Sequence, residues 1–287
     1  MTVEILAPAK INLFLETGSA AGGFHPIVSL IDIIDLCDFI SIDESEKTSV
    51  TFSPGWGIPS QNTVVQSVAL LKKELGIKKN FKIKVHKNIP PGSGLGGGSS
   101  DAAAVLKSVS RYCGISLPED FLIRMGDAIG KDVPLFIGRE RCVAEGFGET
   151  VRKVGYDKSL AYLLFVPEFK VSTKEVYSNL DIMDSKGNLT EGMGKIKIIL
   201  AAIEKHDIPA IEKHIENRLA GSYFNLYPEA GEVKRYIEKA TAKSFFVSGS
   251  GGTLFAVFAA RKEAEEKAVN VKVEGWKSFV AESLKLL

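Results

Sequence analysis

The sequence predicts an α+β protein in two domains, and three observations lead there. Stretches that alternate apolar and polar residues, such as FKIKV at 81–85, stand beside stretches with helical spacing, such as 63–75 and 102–113. At 287 residues the chain can carry one large or two medium domains and bury a core. The third is a continuous apolar run, LAYLLFV at 160–166, which follows the polar stretch 156–159. A run of that kind reads as a buried strand and opens a second domain. The domains are therefore expected at 1–157 and 158–287.

The first domain reads as follows. Residues 2–6 form a strand that ends at Pro8, and 11–15 start a second one. Lys10 lies at that junction between Ala9 and Ile11, where a charge needs a purpose, although most lysines are surface residues. Asn12 shares its face if the strand is regular. GSAAGG at 18–23 is a turn. Phe24 and His25 follow; the imidazole serves either as a local turn partner or, with the ring beside it, as a surface that stacks on and hydrogen-bonds a planar base. Residues 28–43 and 49–52 are strands. Asp32, Asp35 and Asp38 fall three apart, which throws successive acids onto opposite faces, so solvated edges explain them better than a metal cluster. A helix over 63–75 stops at Gly76. Beyond the strand 81–85 come a glycine-rich loop and a helix with apolar residues at 102, 105, 106, 109 and 113. Pro118 and two acids start a helix over 119–129, and Gly130 ends it, leaving Asp132 on a turn. Residues 143–145 and 149–154 pair as a hairpin.

In the second domain, Ser172 and Thr173 cap a short helix carrying Val176 and Tyr177. Residues 192–203, 208–215 and 229–240 are helices. Strands over 243–247 and 253–258 are joined by SGSGG at 248–252, which is at least a glycine hairpin. A charged helix over 261–269 and a strand over 276–281 complete the chain. His206 and His214 lack a third ligand at metal-binding spacing and read as surface residues.

Composition excludes several classes of function. Hydrophobic residues at 45% and charged residues at 25% are ordinary for a soluble globular protein. Lys+Arg 36 against Asp+Glu 35 leaves a formal charge of +1, so no global field recruits nucleic acid or an anionic membrane. Three scattered cysteines, at 37, 113 and 142, read as reduced thiols, and the most apolar run, 28–42, is broken by acids. A cytoplasmic protein without a signal peptide or membrane span is expected.

The most informative stretch is NIPPGSGLGGGSSDAA at 88–103. Glycines leave backbone amides bare and let the main chain approach a ligand closely. Ser99, Ser100 and Asp101 then offer helix-capping chemistry. A strand, a glycine loop and a helix start make an anion site, because orphan amides and the helix dipole point at one place. Gly92, Gly94 and Gly97 satisfy G-x-G-x-x-G, but the segment after the helix has helical periodicity where a dinucleotide fold needs a strand with an acid. A Walker loop needs Lys then Ser or Thr after its last glycine, and Gly98 is followed by Ser99. A free linker disagrees with two prolines and an apolar helix alongside.

At these residues the chain resembles the GHMP kinase superfamily, whose ATP loop P-x-x-x-G-L-G-x-S-S stands here as PPGSGLGGGSS at 90–100. PAKIN at 8–12 and VSGSGG at 247–252 match at the expected ends, and GFH at 23–25 and GKDVP at 130–134 narrow the match to members acting on a cytidyl diphosphate alcohol. The resemblance implies a ribosomal-S5-domain-2-like N-terminal domain, a ferredoxin-like C-terminal domain, and a site drawn from both. It implies that Pro90, Pro91, Gly92, Ser93, Gly94, Leu95, Gly96, Gly97, Gly98, Ser99 and Ser100 hold ATP, with Asn62 and Lys87 bordering the adenine. It makes Lys10 and Asp132 catalytic, and gives the substrate to Asn12, Phe24, His25, Thr173, Tyr177, Ser248 and Gly249. Mg²⁺ would bridge the phosphates, with Ser100 as a contact. Two positions depart from the family pattern, Lys131 beside the catalytic acid and Ser178 beside Tyr177. Alternatives are a superfamily kinase of a small alcohol such as homoserine or mevalonate, and a catalytically silent metabolite-binding protein. A monomer or homodimer is expected.

Overall fold

The computed structural model describes residues 2–138, 140–154, 158–183, 187–269 and 271–284. Part of the expected domain boundary at 156–159 lies outside them. The chain divides into two compact units that are interleaved in sequence. One comprises Met1–Ala9, Leu36–Pro91 and Gly96–Glu140; the other comprises Lys10–Asp35, Gly92–Leu95 and Arg141–Leu287.

In the first unit, the later part of β2 (Ile27–Ser45) pairs antiparallel with β4 (Asn80–His86), and β3 (Ser49–Ser53) pairs with β4 in parallel. β4 shows the period of two that a half-buried strand requires: Phe81, Ile83 and Val85 are buried and the lysines between them are exposed. Two helices pack together here, α1 (Thr63–Leu75) and α2 (Gly97–Tyr112). α1 is capped by the Asn62 side chain, which accepts from the amides of Val64 and Val65 at 3.1 Å, and ends at Gly76 with φ 63°. Val64, Val68 and Leu71 of α1 and Ala102, Val105, Leu106 and Val109 of α2 are buried. α3 (Glu119–Ile129) and the short α4 (Val133–Gly138) follow.

In the second unit, β1 (Val3–Thr17) lies between β2 and the two-residue β8 (Glu216–Asn217), and residues 27–31 of β2 pair with β5 (Cys142–Gly146), which pairs with β6 (Thr150–Lys153). A four-stranded sheet has the order β11 (Trp276–Glu282), β7 (Ala161–Pro167), β10 (Leu254–Phe258), β9 (Phe246–Val247). Every residue of β7 is buried, as its unbroken apolar run requires. Leu163, Phe165, Tyr223, Ile237, Phe245, Leu254 and Ala256 form the core beneath it. The helices are α5 (Thr173–Met183), α6 (Leu189–Glu204), α7 (Ile208–His214), α8 (Ala220–Leu226), α9 (Pro228–Thr241) and α10 (Arg261–Ala268).

Two expectations are corrected, and one helix goes beyond them. β1 does not break at Pro8: β8 is in register only with Phe14 and Leu15, so no partner on that side needs the amide that proline lacks. α8 carried no periodic signal strong enough to be read, because its seven residues span barely two turns. Of the acids at 32, 35 and 38, only Asp35 is exposed, so solvated edges do not explain the other two. Asp32 and Asp38 share a strand parity and are 2% and 0% exposed. Arg141 holds Asp32 through two bonds of 3.0 and 2.9 Å, and the Tyr162 and Ser283 hydroxyls donate to the same carboxylate. Asp35, of opposite parity, pairs with Arg261.

Candidate functional site

Three segments far apart in sequence meet in the second unit. The Lys10 amide donates to the Leu95 carbonyl at 3.0 Å, which ties β1 to the glycine loop. Thr253 donates to the Ser93 carbonyl at 2.7 Å, which ties the same loop to the 248–252 turn. The Asn12 amide donates to Ser248 Oγ at 3.2 Å, and this closes the triangle.

Glycine is demanded at two of these crossings. Gly94 has φ +77°, and a Cβ there would stand 2.6 Å from the Gly251 carbonyl oxygen and 2.9 Å from that of Ser248. Gly249 has φ +60°, and a Cβ there would meet Lys10 Nζ at 3.1 Å and Asn12 Oδ1 at 3.2 Å. Gly94 is barred to larger residues by conformation and by space, and at Gly249 a side chain would be strained and would press on Lys10 and Asn12.

Lys10 and Asn12 are 5% and 6% exposed, so the ammonium is withdrawn from bulk water and its orientation is fixed. Nζ donates to Asn12 Oδ1, Asn12 Nδ2 donates to Ser29 Oγ at 2.8 Å, and Ser29 donates to the Phe14 carbonyl at 2.6 Å. Asn217 completes the frame from the other side. Its Nδ2 donates to the carbonyls of Val247 and Gly249 at 2.8 and 2.7 Å, and its Oδ1 accepts from the Leu219 amide at 2.9 Å.

The remaining substrate candidates of this unit fall into two groups. His25 and Tyr177 have ring centroids 5.2 Å apart; His25 Nδ1 lies 3.0 Å from the Gly18 carbonyl and Nε2 lies 3.3 Å from Asp181. Phe24 is 61% exposed and meets Phe147 edge-on at 6.3 Å. Thr173 bonds the Ser250 hydroxyl at 2.8 Å, so it touches the 248–252 turn.

The first unit holds the start of α2 and Asp132. α2 begins at Gly96 (φ 74°) with no side chain capping it. Ser99, Ser100 and Asp101 lie inside its first turns and do not cap it, which corrects the sequence reading. The amides of that turn and the positive end of a 16-residue helix dipole are left for an anion. Close packing explains Gly97, where a Cβ would stand 2.9 Å from the Ile89 side chain. Thr63 donates to the Gly98 carbonyl at 2.7 Å. Asn62 caps α1. Lys87 is 4% exposed and bonds Asp101 at 2.7 Å and also Asp38. Ser100 Oγ is buried without a hydrogen-bond partner. Asp132 is half-buried on the turn between α3 and α4, where the Val133 amide closes onto the Gly130 carbonyl at 3.0 Å. Lys131, whose effect the sequence left open, pairs with Asp127 on α3 at 2.8 Å.

Asn217, Ser29, Thr253 and Asp38 were not picked out as functional by sequence. Each gains its role from a partner 17 to 160 positions away.

Among the described residues no group of three or more His, Cys, Asp or Glu side chains could hold a metal by itself, and no helix is long and apolar enough to cross a membrane.

Residues 62–138 match the model of the GHMP kinases N terminal domain and residues 199–274 that of the GHMP kinases C terminal domain. The chain is 35% identical over 272 residues to the 4-diphosphocytidyl-2-C-methyl-D-erythritol kinase of Caldicellulosiruptor saccharolyticus, covering 93% of this chain and 92% of that one. It is 36% identical over 277 residues to the protein of the same name from Persephonella marina, with 94% and 96% covered. A crystal structure of 4-(cytidine 5'-diphospho)-2C-methyl-D-erythritol kinase superposes with a TM-score of 0.81 at 26% identity, over 98% of both chains. Homoserine kinase from Cytophaga hutchinsonii shares the fold, with a TM-score of 0.73 at 18% identity over 99% of this chain and 94% of that one. A buried lysine, a nest of glycine amides and an uncapped helix start thus occur in a chain whose two sequence relatives named above carry the same kinase name: the chain belongs to the GHMP kinase family, among the 4-diphosphocytidyl-2-C-methyl-D-erythritol kinases.

Proposed function

We propose that this protein transfers the terminal phosphoryl group of ATP to the 2-hydroxyl of 4-diphosphocytidyl-2-C-methyl-D-erythritol, a step of non-mevalonate isoprenoid precursor synthesis in the cytoplasm. Phosphoryl transfer passes through a loose transition state and needs position and charge more than covalent chemistry. The convergence of β1, the glycine loop and the 248–252 turn around Lys10 carries the assignment, since it aims one desolvated cation at a backbone built for close approach.

The backbone of residues 90–100 and the first turn of α2 hold the triphosphate. Lys10 offsets the negative charge that grows on the transferred group, with Asn12 fixing its ammonium. Asp132 orients the attacking hydroxyl and accepts its proton. Phe24 supplies a stacking face, and His25 and Tyr177 a polar edge and a second ring, for the cytosine. Thr173, Ser248 and Gly249 line the substrate's path. The orphaned Ser100 hydroxyl fits a hard cation that takes oxygen ligands and shares them with phosphates, so Ser100 would contact Mg²⁺. When bound, that ion neutralises phosphate charge.

A coupled ADP-release assay over a panel of alcohols tests the reading. ADP formation with the cytidyl substrate and not with homoserine or mevalonate is expected; turnover of a small alcohol alone, or of none, rejects it. Tyr177→Ala should raise KM for the cytidyl substrate and leave KM for ATP in place.

A further inference from the structure

The glycine loop is held at both of its flanks by one buried carboxylate. Asp38, on β2, is fully buried. Its Oδ1 accepts from the amides of Asn88 and Ile89 at 2.7 and 2.9 Å, which pins the chain as it leaves β4 for the loop. Its Oδ2 accepts from Lys87 Nζ, and the same ammonium reaches Asp101 on α2 at 2.7 Å, on the far side of the loop. Gly97 packs into this junction, since a Cβ there would stand 3.2 Å from Lys87 Nζ. We propose that Asp38 is a positioning residue for the nucleotide: through Lys87 and Asp101 it clamps the entry and exit of the glycine loop at the spacing that a polyphosphate requires. The inference rests on the ATP-binding reading above and gives Lys87 a task other than bordering the adenine.

Several features favour a functional clamp over simple filling of the core. Two carboxylates share one ammonium, and Asp101 Oδ1 is buried with no hydrogen-bond partner. Lys87, from the segment after β4, joins Asp101 of α2 to Asp38 of β2. An apolar core would hold this loop as firmly and cost less. What the cluster adds is a charged hydrogen-bond frame beside the start of α2.

The test is equilibrium binding of the nonhydrolysable analogue AMPPNP with Mg²⁺, beside binding of the cytidyl substrate, in the full chain. Asp38→Asn turns an amide toward the ammonium or toward the two backbone donors, so AMPPNP affinity should fall about tenfold or more while cytidyl affinity stays within about twofold. Equal losses for both ligands, or none for AMPPNP, overturn the proposal. Where Asp38→Asn does not fold, Asp101→Asn decides: it weakens the Lys87 bridge on the α2 side, so AMPPNP affinity should fall by about threefold or more while cytidyl affinity stays within about twofold, and equal losses or none overturn the clamp. A wild type that binds no AMPPNP removes the ATP reading and the clamp together, which separates that failure from the others.

Discussion

At the scale of single residues, the site is a set of contacts that tolerate no added atoms. Gly249 bears directly on the buried cation, with φ +60° and a Cβ position 3.1 Å from the Lys10 ammonium. Gly249→Ala must either move Lys10 or twist the turn away from Asn12. A left-handed alanine costs about 1 kcal/mol of stability, so the fold survives. Turnover should fall by about tenfold or more, since misplacing a charge-stabilising group by a fraction of an ångström weakens its effect on the transition state. Steady-state kinetics beside a thermal melt check this; unchanged kcat would show that the turn does not set Lys10. Lys10 and Asp132 were legible as candidates because they sit in short motifs, PAKIN and GKDVP. Asn217 was not, because its meaning lies in two carbonyls of the 247–249 segment that folding brings to it.

At the scale of elements, strands and helices with strong periods could be read and weak or interrupted ones could not. α1 was predicted to its boundaries from its apolar stripe and the stop at Gly76, and the structure adds the cap at Asn62. The cap supports a prediction of its own. Asn62→Ala removes the acceptor of two α1 amides and should cost about 1 kcal/mol in a denaturant titration. A loss near zero would mean that water replaces the cap without penalty. Pro8 misled the reading because a proline normally ends a strand, and the exception depends on which neighbour pairs with β1 there. The acids of β2 misled it for a related reason. Strand parity puts Asp32 and Asp38 on one face, but only the fold reveals Arg141 and Lys87 opposite them. Arg141→Met should unfold the second unit easily, because it leaves Asp32 buried beside Tyr162 without its guanidinium. Losses of about 3–5 kcal/mol are usual when one partner of a buried pair is removed.

At the scale of the whole molecule, ionisation of one buried carboxyl should be visible in the stability of the chain. The Asp101 carboxyl, ordinarily near 3.8, is pushed up to about 7 in the folded protein, first by burial and then by Asp38, against the pull of Lys87. The native state therefore holds a proton at this site over a range of pH in which the unfolded chain has released it. Stability falls with pH wherever the native state binds more protons than the unfolded state. The contribution of this group is fully present below about pH 4 and is lost as pH rises through about 7. Other carboxyls titrate in the lower half of that window, so the absolute curve does not isolate Asp101. The difference between wild type and Asp101→Asn does, because the variant keeps the shape and the Lys87 acceptor but has nothing to ionise. Relative to wild type, Asp101→Asn should gain in melting temperature steadily between pH 5 and 8, and level off above that. A constant offset between the two proteins across the series would mean that Asp101 is ionised throughout, with Lys87 dominating its environment.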